Sequence, residues 1–549
     1  MKKRLFSLLL AYVALSLPVL ACTNFLVGKK ASVDGAVYIT YNADDYGMYG
    51  HLIYLPHQKH APGSLRRVVD GDSNRYLGDI AEVAETYAVN GYINEFQVSI
   101  METTFGGREE LVDPQGIIDY PSLMRIALQR SRTAREAIDV MTSLVAQYGY
   151  ASGGESFSIA DKDEIWVLEM TGRGKDERGA LWVAVRIPDD CIAAHANQSR
   201  IHKISIYPKQ DVRMSPDLIK WARKHGLYTG KDADFDFAEA VSPAEFSSQR
   251  YCDARAWSFF NRFVEGMDRY LPYVDGKHIG TSEVMPLYFK PKRLLSRQDL
   301  MDAMRDHYEG TPFDTTVDAG MGPGEMPYRP TPLEFEVDGK KYFNERPIST
   351  QQTADTYIAQ LRADLPDVVG GVLWYGNDDP NMISYVPIYC NNTEVPACFD
   401  DPNANDAQFS WESAFWVCNW ISNMVYPRYN MLFPELQKER DRLDHLFTVQ
   451  QPEVEAEALA LYQTDPQQAQ TLLCEYSKKC AAQMLADWKR LGEYLIVKFN
   501  DMTIKQDDNG VFARTPEGLI VRPKRVGYAD SYRRTIVRET GDRYLIPGQ

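Results

Sequence analysis

The sequence has no excess of basic residues. It contains 60 Lys and Arg against 76 Asp and Glu, which gives a formal net charge of −16 and a pI near 5.2. Proteins that bind nucleic acid usually present a basic face that displaces the counterions of the phosphate backbone. We therefore expect no nucleic-acid partner. We attribute the negative net charge mainly to a solvated surface.

Beyond its first residues the sequence also lacks a long hydrophobic run. Three basic residues at positions 2–4 lead into an apolar segment at 5–17 and then to Val19-Leu20-Ala21. This is the pattern of a secretory signal peptide, and it is shorter than the ~20 apolar residues that a membrane-spanning helix needs. We predict that residues 1–21 are removed, that Cys22 becomes the new N-terminus, and that the protein is exported to the periplasm or secreted, without an integral membrane span.

Motifs that hold a metal ion or a phosphate group are missing as well. The cysteines do not form a Cys-x-x-Cys pair, and His307 and Glu309 do not belong to a His-Glu-x-x-His motif. The glycine-rich segment at 320–324 has neither a preceding strand nor a following helix, so it lacks the context of a phosphate-binding loop. We expect no metal ion and no organic cofactor, and we interpret His307 as a structural histidine.

The sequence is long and apolar enough to form a large core, with 549 residues of which 44% are hydrophobic. Strand-like runs at 85–89, 97–101, 156–160, 165–170 and 181–186 alternate with a helix-like stretch at 120–148. Past Pro434 the composition changes to Glu, Gln, Lys, Ala and Leu, with helix patterns at about 435–449 and 452–500. We predict an α+β domain at 22–434 and a helical C-terminal extension with a terminal arm at 435–549.

Eight cysteines in an exported protein raise the question of disulfides. Setting Cys22 aside leaves seven, an odd number. The close pairs Cys390/Cys398 and Cys474/Cys480 are the disulfide candidates, and free buried thiols are the alternative.

Cys22 stands at the start of a predicted hairpin. Apolar runs at 23–28 and 36–41 are joined by a polar link that carries Asp34-Gly35, and an Asp-Gly turn favours a hairpin. Antiparallel pairing would return Asp44 and Asp45, which follow the second strand, toward Cys22. The alternative for these two carboxylates is that they are turn residues.

A cysteine at a free N-terminus carries its own base. A thiol is nucleophilic only as the thiolate, and its ordinary pKa of about 8.5 requires help at neutral pH. The α-amino group, with a pKa of about 7.7 to 8.0, lies within reach of the sulfur and can accept its proton directly or through water. The same amine can later protonate the leaving amine, so Cys22 would serve as both nucleophile and base.

The segment Cys22-Thr23-Asn24-Phe25-Leu26-Val27-Gly28, followed by Asp34-Gly35, resembles the start of the dipeptidase A-type cysteine peptidases, which belong to the N-terminal-nucleophile hydrolases. Further segments resemble the same family in order along the chain, from 94–104 through 154–161, 166–170 and 195–201 to 305–310. The resemblance spans about residues 22–429. It implies a four-layer αββα sandwich, cysteine-dependent hydrolysis and short peptides, above all dipeptides, as substrates.

The resemblance also implies roles for individual residues. Carried over by position, the candidates are Cys22 as nucleophile, Asp44 to orient the terminal amine or thiol, Asn197 as an oxyanion donor, Arg255 in the charge network of the site, and Thr104 near a second oxyanion or substrate donor. Relatives often have Arg where this chain has Tyr41. Without that cation, Arg255 would carry more of the task of lowering the pKa of the Cys22 thiol.

Other interpretations of these residues remain open from the sequence. Cys22 could be a lipidated anchor, although Leu20 before Ala21 fits a lipoprotein cleavage box poorly and a strand pattern follows instead of a polar tether. Asn197 and Arg255 could satisfy buried groups without a role in chemistry. The enzyme could also be an amidase of the same superfamily that acts on another linear amide. The extension could cover the mouth of the site or form the subunit interface of a homo-oligomer.

Cys191 is the alternative candidate for a nucleophilic cysteine. Its spacing from His195 would place the two on one face of a helix, as a thiol–imidazole pair requires. The residues between them, Ile192-Ala193-Ala194, read as a strand or loop instead. We therefore expect Cys191 and His195 not to form such a pair.

Overall fold

Two large antiparallel sheets organise the protein. The computed structural model describes residues 22–548, so the predicted signal peptide at 1–21 lies outside the described residues. The seven-stranded sheet has, in spatial order, the strands Tyr288–Phe289, Ile192–His195, Asn24–Val27, Val37–Asp44, Thr353–Leu361, Gly371–Asn377 and Val386–Tyr389. The eight-stranded sheet has the strands Val212–Met214, Ala180–Ile187, Ile165–Gly172, Gly154–Ala160, Ser99–Gly106, Ile93–Asn94, Val89–Asn90 and Tyr54–Leu55.

Smaller hairpins and helices complete the secondary structure. The two-stranded sheets are Gln58–Lys59 with Glu85–Thr86, Leu65–Val69 with Tyr76–Ala81, Glu334–Val337 with Lys340–Phe343, and Asp507–Asp508 with Val511–Phe512. The α-helices are Tyr120–Arg130, Ala134–Tyr148, Leu218–Lys224, Phe237–Val241, Ala254–Phe263, Leu271–Val274, Arg297–Met304, Asp367–Gly370, Ala414–Val425, Tyr429–Tyr462, Pro466–Phe499 and Asp530–Thr540. A π-helical turn, Ser248–Asp253, leads into Ala254–Phe263. The expectation of mixed helix and antiparallel sheet is confirmed.

The two large sheets touch through their central strands. Val37–Asp44 of the seven-stranded sheet contacts Ser99–Gly106 and Gly154–Ala160 of the eight-stranded sheet. Helices Tyr120–Arg130 and Ala134–Tyr148 pack on the eight-stranded sheet, and their buried residues form a hydrophobic cluster with residues of that sheet. The strands that meet at the contact between the sheets are buried along their whole length or nearly so. Side chains on this contact are therefore removed from water, which strengthens their electrostatic interactions.

The predicted N-terminal hairpin is present. Asn24–Val27 pairs antiparallel with Val37–Asp44, with Leu26 opposite Ile39, and Thr23 forms an isolated bridge with Asn42. The backbone bonds of that bridge are 3.2 and 3.0 Å long. Continuing the register places Cys22 beside the end of the second strand, where Asp44 lies.

The C-terminal helices differ from the sequence prediction in where they break. Helix Tyr429–Tyr462 continues through Pro434 and Pro452, and the break falls at Asp465 instead. Asp465 accepts hydrogen bonds of 3.1 Å from the amides of Gln467 and Gln468, with Pro466 at the first helical position. An Asp cap followed by proline is a start signal for a helix. The sequence at 465–466 therefore marks where the second long helix begins. The domain boundary at residue 434 stays a prediction.

The disulfide candidates are not bridged. All eight cysteines are free and buried. Cys474 and Cys480 lie six residues apart in one helix, which separates them by about 9 Å along the axis and is too far for a disulfide. Cys390 and Cys398 make separate contacts, with the backbone carbonyls of Asp367 and Ala481.

The last described residues form an arm with little burial. After the short hairpin at 507–512, helix Asp530–Thr540 has no buried residue. The terminal arm as a separate part of the C-terminal extension stays a prediction. Across residues 22–548, no helix combines the length and the apolar character needed to cross a membrane.

Candidate active site

Cys22 lies between the two sheets, at the open end of its hairpin. It is 4% exposed, and the seven-stranded sheet holds it through the Thr23–Asn42 bridge. The backbone amide of Asp44 lies near its sulfur and acts to lower the pKa of the thiol. In the full-length chain the nitrogen of Cys22 is a peptide amide to Ala21. The hairpin therefore fixes the thiol, and only cleavage before Cys22 would give it a neighbouring amine.

The thiol faces a phenol of its own sheet and a carboxyl group of the opposite sheet. The sulfur lies 3.5 Å from the Tyr41 hydroxyl and 3.7 Å from Oε1 of Glu102, and the Tyr41 hydroxyl donates to that same oxygen at 2.5 Å. Burial raises the pKa of the Cys22 thiol well above its ordinary value, and the charges of Glu102 and Asp44 add to the rise. The Tyr41 hydroxyl and the Asp44 amide oppose it. At neutral pH this thiol stays protonated until a base accepts its proton.

Asp44 is held by an arginine from a distant part of the chain. Its carboxylate accepts hydrogen bonds of 2.5 Å from Arg346 and 2.5 Å from Thr353, and it is buried. Burial raises the pKa of Asp44, whereas Arg346 and Thr353 act in the opposite direction. The contact with Arg346 spans 302 positions of sequence. No local pattern around Arg346 indicated this role, so sequence reasoning missed it.

Arg255 and Asn197 contact the backbone of the nucleophile segment. The Arg255 guanidinium donates to the Cys22 carbonyl at 2.5 Å and to the Thr23 hydroxyl at 2.7 Å, and its other terminal nitrogen donates to Asn197 Oδ1 at 2.9 Å. Burial lowers the pKa of Arg255 to about 10, which leaves the group charged at neutral pH. Arg255 thus contacts Cys22 through the carbonyl oxygen, on the backbone side, while the sulfur faces Tyr41 and Glu102.

Asn197 follows the end of strand Ile192–His195 in a left-handed conformation, with φ of 60°. Asn tolerates this region better than most residues with a side chain. Its Nδ2 donates to the Thr104 carbonyl at 2.8 Å, which joins the loop after 195 to the eight-stranded sheet. The five residues carried over by the resemblance are therefore linked in one cluster, although their roles in catalysis stay predictions.

A carboxyl pair in the same cluster was missed. Thr104 is opposite Glu155 in the register of Ser99–Gly106 and Gly154–Ala160, and Glu102 lies two residues before Thr104 on the same face. Burial raises the pKa of Glu102 to about 7, and burial together with the charge of Glu102 raises that of Glu155. The available signal was a Glu within each of two otherwise uncharged, buried strands, since such residues are rarely fully buried without a partner.

Cys191 and His195 do not form a thiol–imidazole pair. Ile192–His195 is a strand, and the two nitrogens of the His195 ring lie 2.7 Å from the hydroxyls of Thr103 and Ser158. Burial and the charge of Arg200 lower the pKa of His195 to about 3, so the ring is neutral. The thiol of Cys191 instead approaches Asp190, at 3.7 Å. The expectation from the strand-like context of these residues is confirmed.

His307 also has structural partners. Its ring lies 3.2 Å from Glu309 and 3.2 Å from the hydroxyl of Tyr426. In the part of the chain that the structure describes, no group of three or more His, Cys, Asp or Glu side chains is arranged to hold a metal ion.

The Cys22 sulfur lies beside a phenol and a carboxyl group, while Arg255 contacts the backbone of the same residue. The comparisons with known proteins define the class as a peptidase. Residues 21–441 match the family described as "Peptidase family C69". Because the match covers most of the sequence, this chain belongs to peptidase family C69.

The names of similar proteins agree with this family. A "Probable dipeptidase" of Salmonella dublin is 28% identical over 396 residues, covering 68% of this chain and 81% of the relative. "Dipeptidase A" of Lactobacillus helveticus is 26% identical over 419 residues, covering 72% and 80%. A "Probable dipeptidase B" of Streptococcus pyogenes serotype M1 is 24% identical over 470 residues, covering 82% and 87%.

Proposed function

We propose that this protein is an exported cysteine dipeptidase in which Cys22, freed by removal of residues 1–21, is the nucleophile and its α-amino group the general base. The observation that carries the proposal is the position of Cys22, whose sulfur contacts polar groups of both sheets and whose backbone lies beside Asp44. The dipeptidase names of the relatives support the choice of substrate.

The reaction follows from a thiol and an amine on one residue. The amine takes the thiol proton, and the thiolate attacks the scissile carbonyl carbon to give a tetrahedral oxyanion. Donors aimed at that oxygen stabilise it, and Asn197 is the side chain we assign to this task, with Thr104, whose hydroxyl donates to Glu155, as a substrate contact beside it. Collapse breaks the C–N bond, and the ammonium returns its proton to the leaving amine. Water, deprotonated by the same amine, then hydrolyses the thioester and restores the thiol.

Asp44 and Arg255 act as positioning residues in this proposal. Arg255 fixes the Cys22 carbonyl, and the negative charge of Asp44 favours the protonated form of a nearby amine. We further propose that the two sheets and the helices on their outer sides form the four-layer αββα sandwich of N-terminal-nucleophile hydrolases. The helices packed on the eight-stranded sheet and the contact between the two sheets support this assignment.

The test is the N-terminal sequence and intact mass of the mature protein from a secreting host, combined with dipeptide assays. We expect an unmodified Cys22 at the N-terminus, dipeptide hydrolysis, and loss of activity in Cys22→Ala. Cys191→Ala is the matched control and should keep its activity, because Cys191 lies outside the cluster. An acylated Cys22 would instead indicate a lipoprotein anchor, and hydrolysis of N-acyl amides but not dipeptides would indicate an amidase.

A further inference from the structure

The carboxyl groups of Glu102 and Glu155 lie side by side next to the Cys22 sulfur. Each has one oxygen bound within the protein: Oε1 of Glu102 accepts from the Tyr41 hydroxyl at 2.5 Å, and Oε1 of Glu155 accepts from Thr104 at 2.8 Å. The Oε2 atoms of both groups are buried and have no hydrogen-bond donor. The two side chains lie on one face of the sheet, because Glu102 is two residues before Thr104 and Thr104 is opposite Glu155.

This pair has no cation of its own. Among the described residues, neither Glu102 nor Glu155 forms an ion pair with Lys, Arg or His. The further charge that acts on both is that of Asp72, another carboxylate. Buried carboxylates are normally paired with a cation or neutralised by a proton, and without a cation this pair holds a proton. Its two free acceptor oxygens make it a site where a positively charged donor can take the place of that proton.

The position of the pair fits the amino end of a peptide. In an amino acid the α-nitrogen is about 2.5 Å from its own carbonyl carbon, given bond lengths of about 1.46 and 1.52 Å and an angle of about 111°. The Cys22 sulfur is 3.7 Å from Oε1 of Glu102. An ammonium group bound at the carboxyl pair would therefore bring the carbonyl of that same residue next to the sulfur.

The pair also has a connection to the surface. The Tyr120 hydroxyl donates to Asp72 at 3.2 Å, and Asp72 is exposed to solvent. Tyr120 is in turn close enough to Glu102 and Glu155 for their charges to raise its pKa. The carboxylate of Asp72 thus extends the acidic character of the pair to the surface, as the entrance for a cationic group would require.

We propose that Glu102 and Glu155 bind the α-ammonium group of the first residue of the substrate, so that Cys22 attacks the carbonyl of that residue. The inference rests on the proposed function and deepens it, because it names the chemical group that is recognised. The substrate class becomes peptides with a free N-terminus that are cut after their first residue. A peptide with an acylated N-terminus has no charge for the pair and cannot donate as an ammonium does.

Glu155→Gln tests this inference more cleanly than a change at Glu102, because Glu155 makes no contact with the sulfur. The substrates are a dipeptide that the enzyme cleaves and its N-acetyl derivative. For the wild type we expect kcat/KM to be at least 100-fold higher with the free dipeptide. In Glu155→Gln that ratio should fall at least tenfold through loss with the free dipeptide, while hydrolysis of the N-acetyl form changes less than threefold.

Glu164→Gln is the matched control. Glu164 lies beyond the other end of the strand pair, about 17 Å or more from Glu155 along the strand, and it pairs with Arg135 and Arg186. It should leave both rates unchanged. Calorimetry of dipeptide binding to Cys22→Ala, with and without Glu155→Gln, gives a second readout that does not need turnover. We expect at least tenfold weaker binding in the double variant.

Equal losses with both substrates, or unchanged calorimetric affinity, would overturn the inference and leave the proposed function intact. If instead the wild type cleaved no dipeptide, the proposed function would be wrong. The calorimetric comparison would then still decide whether the carboxyl pair binds an ammonium group.

Discussion

The Tyr41 hydroxyl donates a 2.5 Å hydrogen bond to Oε1 of Glu102. The Cys22 sulfur is 3.5 Å from that hydroxyl and 3.7 Å from that oxygen, so the three groups form a closed set of contacts. Here a neutral donor holds the carboxyl group beside the nucleophile, and the thiol has no cation at this position.

Tyr41→Phe should therefore make the thiol less reactive at neutral pH. The Tyr41 hydrogen bond lowers the pKa values of both Cys22 and Glu102, and its loss raises both. We expect the pH dependence of Cys22 alkylation by iodoacetamide to move upward by about one unit, with kcat/KM at pH 7 falling about tenfold. Tyr38 lies on the same strand but donates to Asp34, so Tyr38→Phe is the control. It should change neither the alkylation profile nor kcat/KM. An unchanged alkylation profile in Tyr41→Phe would contradict the prediction.

The hairpin at Cys22 and the long strands of the eight-stranded sheet were predictable because their signals are local, whereas the later strands of the seven-stranded sheet were not predicted. Alternating or continuous apolar residues and an Asp-Gly turn determine the pairing of Asn24–Val27 with Val37–Asp44. The proximity of Asp44 to Cys22 followed from that pairing alone. The break at Asp465 was also encoded locally, in the Asp-Pro sequence, although the longer helical pattern obscured it.

The rest of the site depends on contacts between distant segments. Arg346 reaches Asp44 across 302 positions, and Glu102 meets Cys22 across 80. The first contact comes from the loop before strand Thr353–Leu361 and the second from the stacking of the two sheets, and single-sequence patterns encode neither. Tyr41 lacks the charge of the Arg that the resemblance implies, yet its hydroxyl contacts the sulfur directly. The sequence shows that no cation stands at position 41. Only the tertiary structure shows that the Tyr41 hydroxyl contacts Cys22 and Glu102.

Asn197→Asp should reduce turnover without disrupting the fold. The change keeps a side chain that tolerates φ of 60° and an oxygen that can accept from Arg255, and it removes the Nδ2 donor. If Asn197 stabilises the oxyanion, kcat should fall about 100- to 1,000-fold while KM changes little. Steady-state kinetics and thermal unfolding check this together. A loss of kcat that merely tracks a lower melting temperature would assign Asn197 a structural role instead.

The Asp44–Arg346 pair should show strong coupling in stability. Both side chains are almost fully buried, so removing one leaves the other charge without its partner. We expect Arg346→Met to cost about 3 to 5 kcal/mol in the free energy of unfolding. The double variant with Asp44→Asn should cost clearly less than the sum of the single changes, measured by urea denaturation. Additive losses would mean that the two residues act independently.

The stability of the mature protein should fall as pH rises from about 4.5 to about 7, in part because of Glu102. Its pKa is about 7 in the folded protein and 4.5 ordinarily, so within this window the folded state holds a proton that the unfolded state has lost. The groups that face it are Cys22, Tyr41, Asp72 and Glu155, none of which supplies a compensating cation.

Glu102→Gln removes this titration, so the difference in unfolding free energy between variant and wild type should grow in favour of the variant as pH rises. The expected change is of the order of 2 to 3 kcal/mol across the window. Asp355 and Asp378, whose pKa values are raised to about 6 and about 7, add to the slope in both proteins and cancel in the comparison. In Glu164→Gln the unfolding free energy should not rise relative to that of the wild type over this pH range, because the pKa of Glu164 is lowered in the folded state. Denaturation curves for wild type and Glu102→Gln that stay parallel between pH 4.5 and 7 would show that Glu102 is already ionised at the lower pH.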